Sequence, residues 1–106
     1  MGRNTIGPLE FEILAVLLGQ PRDAYGISIR ERLRKRAGRE VSLGAIYTTL
    51  ERLERKGLIS SWWGEATDER GGRRKRLYKI EAEGRVAANH FGERFTSFSN
   101  VLPAWG

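Results

Sequence analysis

Apolar residues recur along this chain at helical spacing three times, then crowd around a glycine-containing stretch, then return to helical spacing near the end. Over residues 8–18, Leu9, Ile13, Val16 and Leu17 form an inward face. Pro8 suits the first helical position, where its missing N–H has no intrahelical partner. Gly19-Gln20-Pro21 ends the run. Asp23 reads as the N-cap of a second helix over 24–37, closing near Gly38, with Ile27, Ile29 and Leu33 as its apolar positions. A third helix opens at Ser42, whose hydroxyl can accept from the exposed N–H groups of the first turn. Ile46, Leu50 and Leu53 follow at i, i+4 and i+7, one stripe, and Gly57 stands where a left-handed residue would close the helix. Residues 58–64, with Trp62-Trp63, predict a strand; 65–73, with Gly71-Gly72, a turn; and 74–80 the return strand. The return strand alternates imperfectly and leaves open which of Leu77 and Tyr78 points inward. Residues 82–102 predict a last helix.

This order of elements is a mainly α fold with a small β-hairpin: a winged helix-turn-helix over 1–81, followed by a C-terminal helical segment over 82–106. A length of 106 residues is one ordinary domain, and a hydrophobic fraction of 40% is modest for a lone monomer, which favours further burial in a dimer. The absence of cysteine excludes disulfides and thiolate metal sites. No apolar run is long enough to span a bilayer. The N-terminal apolar stretch carries Glu10 and Glu12 and lacks a cleavage site, so it does not read as a signal peptide. A cytoplasmic protein with no membrane partner is expected.

A formal charge of +6 points to a polyanionic partner, because clustered cations release the counterions condensed on nucleic acid. The charge is concentrated in two places. The second helix carries Arg30, Arg32, Arg34, Lys35 and Arg36 against Glu31 alone. The hairpin carries Arg70, Arg73, Arg74, Lys75, Arg76 and Lys79, preceded by Glu65, Asp68 and Glu69. With Ile46, Leu50 and Leu53 turned inward, the third helix shows Gly44, Thr48, Glu51, Arg52 and Arg55 on its outer face, with Tyr47 on the flank. Thr48 and Thr49 suit a phosphate oxygen or a thymine methyl, and Arg52 and Arg55 suit phosphate or guanine. These residues, with Ser42 as the cap and Arg73, Arg74, Lys75 and Arg76 on the wing, are the candidate contacts to double-stranded DNA. The plainer alternatives are a solvated face with a Glu51–Arg55 pair and a charged, aggregation-resistant hairpin edge.

In the last helix Ala87, Phe91, Phe95, Phe98 and Leu102 make a heptad-like seam, which reads as a homodimer interface, with Gly92 allowing close approach. A dimer sets two recognition helices about one DNA turn apart, hence a palindromic operator. The tryptophans Trp62, Trp63 and Trp105, with the phenylalanine seam, can alternatively line a cavity for flat apolar ligands, though packing is the simpler role. His90 is the single histidine, and no nucleophile–base pair, phosphate loop or metal-ligand cluster stands out, so neither an enzyme nor a cofactor is expected.

The chain resembles the PadR family of bacterial transcriptional regulators over about residues 7–84. The resemblance rests on Gly7-Pro8-Leu9, Tyr25-Gly26, the run Ser42-Leu43-Gly44-Ala45-Ile46-Tyr47, and Leu50 and Leu53. It continues through Gly57-Leu58-Ile59, the wing Gly71-Gly72-Arg73-Arg74-Lys75-Arg76 with Tyr78, and Glu83-Gly84. It implies a homodimeric repressor that binds an inverted repeat through the wing and the third helix. It also implies dimerisation through a single C-terminal helix and response to small aromatic compounds or drugs near the dimer centre. The competing reading of the same residues is a winged-helix module that docks an acidic protein.

Overall fold

The computed structural model describes residues 5–65 and 74–101, with side chains as far as residue 94. Three helices come first: α1 (Pro8–Gly19), α2 (Gly26–Ala37) and α3 (Leu43–Arg55). An antiparallel hairpin of β1 (Ile59–Trp63) and β2 (Arg76–Ile80) follows, and α4 (Ala82–Val101) closes the chain. This is the winged helix that the hydrophobic pattern predicts.

α1 is apolar on almost every side, so periodicity alone leaves its inner face ambiguous. Ile13, Leu14 and Leu17 are fully buried, while Leu9 and Val16 lie half-buried at the margins. The inner stripe is therefore rotated toward Leu14. It also carries Glu10, one of the two buried polar side chains among the described residues. Glu10 Oε1 accepts from the Gly7 N–H at 2.9 Å, closing the first turn of α1. Its Oε2 takes Lys56 Nζ at 2.9 Å, and Lys56 also donates to the Thr5 carbonyl at 3.1 Å. One ion pair thus ties the start of α1 to the end of α3.

α2 starts at Gly26, two residues later than the sequence suggests, and its N-cap is Tyr25, not Asp23. The cause is the hairpin. Ala24 is buried and its carbonyl accepts from the Tyr78 N–H at 2.9 Å, which holds the chain extended there. Ser28 Oγ accepts from the Tyr25 N–H at 3.0 Å and donates back to the Tyr25 carbonyl at 2.9 Å. The later start rotates the inner face: Gly26, Ile29 and Leu33 are buried, and Ile27 is exposed rather than internal. Gly38 closes α2 in the left-handed region at φ 61°.

α3 follows the sequence most closely. Ser42 Oγ accepts from the Ala45 N–H at 3.1 Å, and Ile46, Leu50 and Leu53 are fully buried. Gly57 at φ 80° turns the chain out of the helix, with the Leu58 N–H reaching the Leu53 carbonyl at 3.0 Å. Each fully buried leucine or isoleucine contributes about 1.5–3 kcal/mol of apolar burial. In the hairpin, Ile59 pairs with Ile80, Ser61 with Tyr78 and Trp63 with Arg76. Ile59, Tyr78 and Ile80 are buried, so Tyr78 is the inward residue and Leu77 lies on the other face. Both strands are shorter than the ranges 58–64 and 74–80.

The first turns of α4 join the same core through Gly84, Ala87 and Ala88. The Glu81 N–H donates to the Leu58 carbonyl at 2.9 Å just before α4 begins. A β-carbon at Gly84 would stand 2.2 Å from that same carbonyl oxygen and 2.7 Å from Ile80. Only glycine lets α4 approach so near. The substitution Gly84→Ala is therefore expected to cost about 1–3 kcal/mol by overpacking against backbone, read as a lower urea midpoint at an unchanged denaturant slope.

Candidate nucleic-acid interface

α3 presents Gly44, Tyr47, Thr48, Glu51, Arg52 and Arg55 to solvent, as its sequence suggests. Thr49 is a correction. It is 4% exposed, and its hydroxyl donates to the Ala45 carbonyl at 2.8 Å, so it faces the core and is not a groove contact. Arg55 and Glu51 approach to 3.9 Å with both side chains more than 70% exposed. Such a pair is worth at most a fraction of a kcal/mol and yields readily to a stronger anion. Tyr47 is held more firmly. A β-carbon at Gly26 would lie 2.4 Å from its Cζ and Oη, so the ring rests directly on the first turn of α2.

The wing is tied to α3 by a polar chain. Arg76 Nε donates to Ser61 Oγ at 3.1 Å, and Ser61 Oγ donates to Glu54 Oε2 at 2.8 Å. The Arg76 guanidinium lies 5.0 Å from the centre of the Trp63 ring. Lys75 Nζ sits 4.3 Å above the Tyr25 ring, at the N-terminal end of α2. Arg74 is exposed. Arg76 is half-buried and already engaged, so its main contribution is to fix the wing against α3. Arg70, Gly71, Gly72 and Arg73 lie outside the described residues.

Between wing and helix, Tyr47, Glu51, Glu54, Arg76 and Tyr78 line a pocket of about 280 Å³. Burial pushes the Tyr78 phenol up from its ordinary value. The Arg76 cation opposes this, and Tyr47 and Glu54 reinforce it. The fold therefore holds the phenol neutral.

The C-terminal seam needs correcting in part. Ala87 is 1% exposed within its own protomer, so it is a core residue and not available to a partner. Phe91 stacks on Phe11 of α1, with ring centres 4.7 Å apart and planes at 21°. The first half of α4 thus packs on its own α1. The side chains of Phe95 and Phe98, and all of Leu102 and Trp105, lie outside the described residues. An open groove of about 730 Å³ remains between the two helices, lined by Phe11, Ala15, Leu18, Ala88, Asn89, Gly92 and Glu93. Trp62 and Trp63 take no part in it; they lie exposed in β1, next to the wing. His90 is exposed, and among the described residues no three His, Asp or Glu side chains converge as metal ligands would. Among the same residues no helix is long and apolar enough to cross a membrane.

Sequence reasoning misses the Glu10–Lys56 pair, the Gly26–Tyr47 contact and the Ser61–Glu54 link. The first two join elements far apart in the chain, and the third spans only seven residues but depends on how β1 turns back beside α3. Only Gly26 left a local mark, as the glycine of Tyr25-Gly26.

A family model described as the transcriptional regulator PadR-like family matches residues 13–90. Among solved structures, a PadR family transcription regulator from hypervirulent Clostridium difficile R20291 aligns with a TM-score of 0.74 at 25% identity, covering 90% of this chain and 94% of that one. A transcriptional regulator from Clostridium thermocellum aligns with a TM-score of 0.72 at 26% identity, covering 88% and 87%. Bacillus subtilis PadR in complex with operator DNA shares the fold, with a TM-score of 0.65 at 20% identity, covering 78% of this chain and 45% of its own.

The raised Tyr78 pKa fixes the sign of a pH effect. A phenol whose folded pKa exceeds its unfolded value of about 10 stabilises the fold below that pH and loses the contribution as pH rises through the folded value. Stability is expected to fall above about pH 10, and Tyr78→Phe to flatten that fall. Urea midpoints for both chains across pH 8–11 measure the difference.

Proposed function

Since the chain belongs to the PadR-like family of transcriptional regulators, we propose that it is a cytoplasmic repressor that binds an inverted-repeat operator as a homodimer. The observation that carries this reading is the exposed face of α3 beside a cationic hairpin fixed to it through Arg76, Ser61 and Glu54. Tyr47, Thr48, Arg52 and Arg55 face the major groove in this reading, with Ser42 and Gly44 at the helix entry. Small residues at that entry let the backbone approach the bases. Arg74 and Lys75, with Arg73, hold phosphates or the adjacent minor groove. Bacillus subtilis PadR, which shares the fold, is solved with operator DNA, and this supports the assignment.

Residues 1–81 then carry the DNA contacts and 82–106 carry association. The division is one of labour and not of folding, because Gly84, Ala87 and Ala88 sit in the common core. The groove between α1 and α4 is where a second copy meets this one. Its apolar lining of Phe11, Ala15 and Leu18 also suits a flat aromatic effector that would loosen operator binding.

Three measurements test this. Replacing Arg74 with Ala should weaken binding to every duplex and make the log Kd against log salt slope shallower by about two units, since one phosphate contact is lost in each protomer of the bound dimer. An unchanged slope removes the wing from the interface. Thr48→Ala should reduce affinity for the operator more than for random DNA, and equal losses take Thr48 off the reading face. A footprint over an inverted repeat upstream of the chain's own reading frame identifies the operator. Failure to bind any duplex at low salt, with capture of an acidic protein instead, would turn the reading to a protein-docking module.

A further inference from the structure

The wing and α3 leave part of the positive charge without a role. α2 carries five cations, Arg30, Arg32, Arg34, Lys35 and Arg36, against the single acid Glu31. At about 100° per residue, Arg30 and Arg34 share one flank of the helix, and Arg32 and Arg36 share the other. The two flanks meet different surroundings. Arg32 and Arg36 line a crevice against α1 with Phe11, Glu12 and Val16. Arg30 and Arg34 line a separate hollow of about 420 Å³ with Arg39, Glu40, Val41 and Ser42, at the threshold of α3.

That hollow suits an anion. Three arginines line it, with one acidic residue, Glu40. Arg34 meets Glu31 at 2.7 Å, and Arg39 meets Glu12 at 2.9 Å, in pairs that remain substantially exposed. Exposed pairs of this kind are weak enough for either arginine to turn to a phosphate. Among the described residues Arg30 has no ion-pair partner.

Its position matches the second wall of a groove. Lys75 lies over Tyr25, the residue that caps α2 at its N-terminus. Arg34 is nine residues further on, about 14 Å along the axis. The major groove of B-form DNA is about 12 Å across. Tyr47 rests on Gly26, so the outer face of α3 is set beside this same stretch of α2.

We propose that Arg30 and Arg34, backed by Arg39, form a second phosphate-binding site that grips the strand across the groove from the wing. The inference rests on the DNA-binding reading given above and extends it to the α2 surface.

The test uses two double variants of the full chain, Arg30→Gln/Arg34→Gln and Arg32→Gln/Arg36→Gln. Each lowers the formal charge from +6 to +4. Glutamine is as good a helix former as arginine, and circular dichroism verifies that both fold. Anisotropy of a labelled random-sequence duplex of about 30 base pairs is titrated between roughly 50 and 200 mM salt. The first variant is expected to lose close to four units of salt slope, about two per protomer of the bound dimer, and about ten-fold or more in affinity. The second is expected to keep its slope within a few tenths of the parent. Equal slopes in the two variants overturn this site while leaving the DNA-binding function in place. A parent chain that binds no duplex overturns the functional reading and this site together. Poly-glutamate competing as well as duplex DNA also overturns it, because the hollow would then be serving an acidic protein.

Discussion

The attachment of β2 to the helices is the constraint from which the candidate interface follows. The Tyr78 N–H holds the Ala24 carbonyl just ahead of α2, and the Tyr78 side chain is buried where α3 and the wing meet. A two-stranded hairpin alone in water is marginal at best. Pinned at this residue, it becomes part of the helical body, and its cations acquire a fixed distance from α3. The same hydrogen bond delays the start of α2 and so sets which face of that helix is buried. One backbone contact therefore determines both the wing and the orientation of the α2 arginines.

The chain manages a dense positive charge with partners that are easily exchanged. Lys75 and Arg76 lie over aromatic rings, which attract cations without neutralising them. Arg34, Arg39 and Arg55 meet carboxylates at the surface, where ion pairs contribute little. The tighter pair, Lys56 with Glu10, is partly buried and ties α1 to the end of α3. Lys75, Arg34, Arg39 and Arg55 are thus held in place but not consumed, while Lys56 and Arg76 are engaged in the fold itself.

How much of this was legible in the sequence depends on how local each signal is. α3 is legible because its cap, its stripe and its closing glycine are all local, and only Thr49, at the edge of the stripe next to Leu50, departs from the pattern. α1 is apolar nearly all round, so its pattern does not separate Leu14 from Leu9 and Val16. α2 misled because its start is set by Tyr78, a residue more than fifty positions away in the chain. The seam in α4 was real as a pattern, but spacing cannot say which surface a stripe meets. Phe91 found Phe11 of its own chain.

That intramolecular stacking changes how the C-terminal helix relates to the DNA-facing surface. α4 does not hang from the winged domain as a separate arm. Its first turns press Gly84 onto Leu58, the residue that follows the glycine closing α3, and the Glu81 N–H bonds the Leu58 carbonyl. Interiors packed this closely transmit displacement and do not absorb it. Phe11 and Ala88 line the groove between α1 and α4, and α4 reaches Leu58 at the end of α3 through Gly84. Packed side chains and backbone therefore connect the groove to the end of α3 through Gly84 and Leu58. The close approach that only glycine permits at position 84 thus holds α4 as part of the winged-helix body.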